Sequence, residues 1–215
     1  MTLKTSSTAE SIGTSEVYDN GDVMLVVGPA KDVRLRVHSQ ILRCSSTVFA
    51  KMFAPPWAES QSLSNDSPKD IPLPEDDGFA MRQICYVIHH QNDDVWDDLA
   101  PLQVLKIAIQ AEKYDMITAL KYCSAQWLSS AHRALHKVTS MLDVGRLLTS
   151  AYLFGNAEMV AAFSLRLMLD FKATDSYLGL SGESDIAHFL PWKTSCGCHH
   201  DPVLLCANMQ ALTLY

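Results

Sequence analysis

The chain has 215 residues, 48% of them hydrophobic and 19% charged, enough apolar side chain to build a core and too much for wholesale disorder. Its formal charge of −7, with no dense basic run, argues against a general affinity for nucleic acid, because duplex binding draws on clustered Lys and Arg. The length fits one large domain or one domain with a helical extension, expected here as one compact body.

Residues 1–16 are polar and lack the continuous apolar stretch of a secretory signal, so they read as a disordered N-terminal tail. The most apolar stretch, residues 159–171, is interrupted by Arg166 and Asp170 and falls short of the roughly 20 residues a membrane span needs. An intracellular protein, cytoplasmic or nuclear and without membrane contact, is the expectation. Six cysteines (Cys44, Cys85, Cys123, Cys196, Cys198, Cys206) are present, and three sit singly in apolar helical patterns, where a free thiol acts as a small hydrophobe.

DVMLVV at residues 22–27, the Gly28-Pro29 breaker and the alternating VRLRV at 33–37 predict a hairpin with Val33, Leu35 and Val37 on one face. From Ser39 the period lengthens, and Ile41, Leu42, Val48, Phe49, Met52 and Phe53 predict two short helices with a cap among Ser45, Ser46 and Thr47. Residues 58–69 are Ser-rich and polar and read as an exposed loop, and Ile71-Pro72-Leu73 reads as a short edge strand. Helices are then expected at 79–89 with Phe79, Ile84, Val87 and Ile88 inward, at 101–112, and at 117–128. Three more are expected at 133–141, 144–154 and 157–171, with Asp143 and Asn156 as N-caps and Gly155 as a left-handed stop. Residues 173–215 read as irregular, with one short helix at 203–214.

Cys196, Cys198, His199, His200 and Cys206 assemble soft and imidazole donors, but their spacing matches neither paired C-x-x-C knuckles nor a His pair on a helix. They remain the candidate ligands for one alternative, a small zinc-binding protein; no metal and no cofactor is otherwise assigned. Asp93, Asp94, Asp97 and Asp98 lack the Gly and terminal Glu of a calcium loop and read as solvated turn charge. The sequence contains no G-x-S-x-G elbow, phosphate-cradling Gly loop, H-E-x-x-H or dinucleotide fingerprint, so no enzyme is expected.

Asp22 opening a strand, His38 closing the hairpin, Leu42, Ser45 or Ser46, Phe49, IPLPE at 71–75 and AIQAEKYD at 108–115, which includes Tyr114, follow one another in an order that resembles the BTB/POZ family over residues 19–130. ICYVIHH at 84–90, with Trp127 and Leu128, is similar to BTB proteins of filamentous fungi. The resemblance implies an α+β BTB/POZ fold, a small mixed β-sheet capped by α-helical hairpins, at residues 17–130, with an all-α extension at 131–172. Asp22, His38, Leu42, Phe49 and Tyr114 are its fold-signature residues; burying Asp22 or His38 without a partner would cost about 1–3 kcal/mol, so each is expected to hydrogen-bond backbone or the other.

The function implied is exercised by surface: a non-enzymatic module that pairs with itself as a homodimer or with another BTB protein. Some members dock a cullin as substrate adaptors for ubiquitin transfer, and Leu73 and Glu75 have the form of that contact. Beside it stands the reading that Glu75, Asp76 and Asp77 place favourable charge at the start of the central helix. Residues 1–16 lack the alternation of a strand swapped between family homodimers. Ser39 stands where the repressor subgroup carries a basic residue, so no corepressor pocket is expected.

Overall fold

The computed structural model describes residues 14–31, 33–55, 63–135, 140–170 and 184–189. The chain is mixed α+β, and its contacts divide it into two compact units, Met1–Gln91 and Asn92–Tyr215, where one body had been expected.

The first unit contains a four-stranded mixed sheet in the order β1-β3-β2-β4, formed by β1 (Thr14–Glu16), β2 (Val23–Val27), β3 (Val33–Val37) and β4 (Lys69–Leu73). The expected hairpin is present: β2 and β3 are antiparallel, pairing Val23 with Val37, Leu25 with Leu35 and Val27 with Val33. β4 returns parallel to β2, which a tight turn cannot achieve, and the helices α1 (Ser39–Ser45) and α2 (Thr47–Met52) lie in the connection between β3 and β4. Alternation works as the sequence indicates. Leu25, Val27, Leu35, Val37, Ile71 and Leu73 are buried on the inner face, while Arg34 on the outer face reaches Asp70 at 2.9 Å. That exposed ion pair contributes at most about 1 kcal/mol.

β1 corrects the sequence reading. Thr14–Glu16 falls within the span read as a disordered tail, yet it pairs parallel with residues 34–36 of its own chain. A strand of three polar residues has no periodicity to detect; its place is set by the open edge of β3.

Ser46 separates α1 from α2 and caps the second, its hydroxyl accepting from the Phe49 amide at 3.0 Å. α3 (Gly78–Ile88) packs against α1 and β3. Of the four residues expected inward, Ile84 and Ile88 are buried, together with Ala80, Met81, Gln83 and Cys85, whereas Phe79 and Val87 are only half-buried. Nearly every residue from 79 to 88 is apolar, so the spacing alone does not select a side.

The second unit holds α4 (Pro101–Lys113), α5 (Lys121–Arg133), α6 (Met141–Leu153), α7 (Ala157–Asp170) and α8 (Ser184–Phe189). α6 packs against both α4 and α7, so the helices on either side of the expected boundary at 130/131 share one core, which includes Val104, Leu105, Ala108, Val144, Leu147 and Phe163. Trp127 is buried and its indole N–H donates to the Trp96 carbonyl at 2.9 Å. Of the helix expected at 133–141, residues 136–139 lie outside the described residues; α5 ends at Arg133 and α6 begins at Met141. Asp143 is not the cap of α6, because Ser140 holds that position and Asp143 instead pairs with Arg146 at 2.9 Å. Asn156 does cap α7, accepting from the Met159 amide at 3.1 Å. α8 lies in the segment read as irregular, and Ile186 anchors it at 2% exposure. The helix expected at 203–214 lies outside the described residues.

Three helices stop in the same way. After α3, α4 and α6 the chain turns left-handed at His90 (φ 62°), Asp115 (φ 54°) and Gly155 (φ 66°). The next amide in each case donates back to the third-last helical carbonyl: Gln91 to Tyr86, Met116 to Ala111 and Asn156 to Ala151. Only Gly155 takes this conformation without a Cβ penalty. We expect His90→Gly to raise stability by roughly 0.5 kcal/mol, read as a higher urea midpoint with an unchanged slope.

No helix among the described residues is long and apolar enough to cross a membrane.

Candidate functional site

Asp22 and His38 come together at the junction where the hairpin ends and α1 begins. The turn before β2 brings Gly21 against the end of β3, so closely that a Cβ on Gly21 would stand 2.5 Å from the Val37 carbonyl oxygen and 2.8 Å from the Val37 nitrogen. Glycine is required there by the approach of two backbones. Its carbonyl accepts from the Arg36 guanidinium at 3.1 Å.

That approach aims Asp22 at the first residue of α1. Oδ1 accepts from the Ser39 amide at 2.7 Å and Oδ2 from the Ser39 hydroxyl at 2.6 Å, with both residues buried. A carboxylate accepting two short bonds at a helix start satisfies one of the helix's unpaired amides and fixes the direction in which α1 leaves the sheet. Asp22 therefore bonds Ser39 rather than His38, and Ser39 is a member of the site that the sequence reading overlooked. A hydroxyl residue directly before an amphipathic run was the available signal.

His38 is the N-cap of α1, its Nδ1 accepting from the Gln40 amide at 3.2 Å. Its backbone amide donates to Nε2 of His89 at 3.1 Å, and the other ring nitrogen of His89, Nδ1, is 2.9 Å from the Cys85 carbonyl. A carbonyl only accepts, so Nδ1 carries the proton and Nε2 is the bare acceptor. His89 is thus a neutral link between the end of the hairpin and the end of α3. Burial lowers its pKa from the ordinary 6.5 to about 4; the Cys85 carbonyl opposes that shift, and His38 and His90 add to it. Tyr18 lies edge-on to His38, ring centroids 5.8 Å apart, and 6.0 Å from His89. Nothing in the spacing of the sequence links His38 to a residue 51 positions away.

Leu42 and Phe49 are fully buried, Phe49 stacking on Phe53 at 5.9 Å, and in the second unit Tyr114 is buried at the end of α4. The Cys85 thiol is pushed up to about 12 by burial and stays protonated, and the Cys123 thiol is raised by burial and then by Asp97.

Leu73 and Glu75 do not form one surface. Leu73 is 6% exposed in the sheet, where its carbonyl accepts from the Gly28 amide, and only Glu75 faces solvent. As an exposed contact the Leu73 assignment is corrected: its side chain is used by the core. Asp77, in the same acidic run, is the N-cap of α3, accepting from the Ala80 amide at 2.9 Å. Cys196, Cys198, His199, His200 and Cys206 lie outside the described residues, and among the described residues no three His, Cys, Asp or Glu side chains are grouped so as to hold a metal ion.

The arrangement is chemically one of fixed hydrogen bonds: a paired carboxylate, a neutral imidazole holding a backbone amide, and a protonated thiol in a packed helix. No family model matches the chain, and no curated protein matches it.

Proposed function

We propose that the chain is a protein–protein interaction module of the BTB/POZ type, acting by association with a second copy of itself or with another such domain and carrying out no reaction of its own. The observation that supports this most is the order of elements around the Asp22–Ser39 contact. A hairpin leads into two short helices, then a strand parallel to the first hairpin strand, then a central helix. This is the order in which the signature residues of the resemblance follow one another.

A second feature bears on how a partner is met. β1 forms one edge of the sheet and β4 the other, and a strand edge offers backbone donors and acceptors to an added strand.

Two copies carrying different tags, co-expressed and captured through one tag, test the reading. The second copy is expected to be retained through washing at high salt, since contacts made by apolar surface and backbone hydrogen bonds are little screened. Recovery of the captured copy alone would count against self-association.

A further inference from the structure

Ser67 lies in the bend leading into β4, and its side chain is exposed. It is the one Ser or Thr followed by proline in all 215 residues. Pro68 restricts the residue before it to extended backbone and removes an amide at the next position. An extended acceptor with a proline ring on its C-terminal side is what the substrate cleft of a proline-directed kinase accommodates.

The neighbouring hydroxyl is already in use, since Ser64 Oγ accepts from the Asp66 amide at 3.3 Å, whereas the Ser67 hydroxyl has no hydrogen bond among the described residues. The same bend is held by a cation. The Arg36 guanidinium donates to the Asn65 carbonyl at 2.7 Å and through Nε to Gly21 at 3.1 Å, which among the described residues engages two of its five N–H groups. Lys69 follows two residues after Ser67, its amide fixed on the Asp22 carbonyl at 3.1 Å.

We propose that Ser67 is a phosphorylation site for a proline-directed serine/threonine kinase and that Arg36 receives the phosphate. In the transfer the Ser67 oxygen bonds to the γ-phosphorus of ATP, the bond from that phosphorus to the β,γ-bridging oxygen breaks, ADP leaves, and the hydroxyl proton passes to the kinase's catalytic carboxylate. The product carries close to two negative charges two residues from the Asn65 carbonyl that Arg36 already holds, and the guanidinium has further donors not engaged among the described residues, so the bend becomes tied more firmly to β3.

The full chain is incubated with a purified mitogen-activated protein kinase and magnesium ATP, and the phosphate is located by mass spectrometry. One phosphate at Ser67 is expected, lost in Ser67→Ala and restored in Ser67→Thr. The phosphorylated chain is expected to melt about 3 °C higher than the unmodified one, and that rise to disappear in Arg36→Gln. Label that persists in Ser67→Ala, or no label while a control Ser-Pro protein is modified in the same tube, would overturn the site. An equal rise in Arg36→Gln would overturn the role of Arg36.

Discussion

Asp22→Ala is expected to destabilise the first unit by about 3 kcal/mol, because it removes both acceptors of Ser39 and leaves a buried amide and a buried hydroxyl without partners. The loss is larger than that of an ordinary surface contact because water cannot replace the carboxylate where Ser39 is 6% exposed. Asp22→Asn keeps the shape and one acceptor oxygen and is expected to cost roughly half as much. Ser39→Ala deletes the hydroxyl bond and leaves the amide bond in place. Urea unfolding of the two single variants and the Asp22→Ala, Ser39→Ala double variant measures the coupling. The account requires an interaction energy of about 1 kcal/mol or more. Additive losses would mean that the two residues do not act together.

The second large effect is a dependence of stability on pH through His89. Its folded pKa is about 4 against an ordinary 6.5, so below 6.5 the unfolded chain binds a proton that the folded chain refuses. The contribution is fully present above pH 6.5 and is lost as pH falls towards 4, on the order of 3 kcal/mol across that window. The main cause is burial, which penalises the charged ring; a proton on Nε2 would in addition point at the His38 amide, turning an acceptor into a second donor. His89→Gln can accept from that amide and donate to the Cys85 carbonyl without titrating. Comparing urea midpoints of wild type and His89→Gln between pH 4 and 7 separates this residue from the carboxylates that also titrate there. The curves should converge near neutrality and diverge in acid, with wild type falling further; parallel curves would remove His89 as the cause.

Much of the first unit could be read from the residues because its signals are short-range. Val33, Leu35 and Val37 alternate, Ile41 to Phe53 change to helical spacing, and Pro72 marks an edge strand; each pattern is complete within a few residues. The signals that failed were set elsewhere in the chain. Thr14–Glu16 is a strand because β3 offers it an edge. The buried side of α3 follows from what it packs on: Gln83 is buried while Phe79 and Val87 are half-buried, so residue type alone does not mark it. The division at Gln91 goes with α4 packing on α6, a contact between helices on the two sides of the domain boundary expected at 130/131.

The candidate site shows the same split. Asp22 and His38 were identifiable as polar residues in an apolar setting that must find partners. Their actual partners were not, because Ser39 looks like any cap residue and His89 like any helix end. Leu73 and Glu75 mark the opposite error, in which a three-residue pattern suggested a surface that the pleat of β4 divides between core and solvent.

The mass of the full chain in solution, measured by light scattering behind a sizing column from low to high micromolar concentration, tests the central proposal most directly. Association predicts a mass rising towards twice 23.8 kDa as concentration increases. A mass that stays at 23.8 kDa throughout would contradict the reading of this chain as a self-associating module.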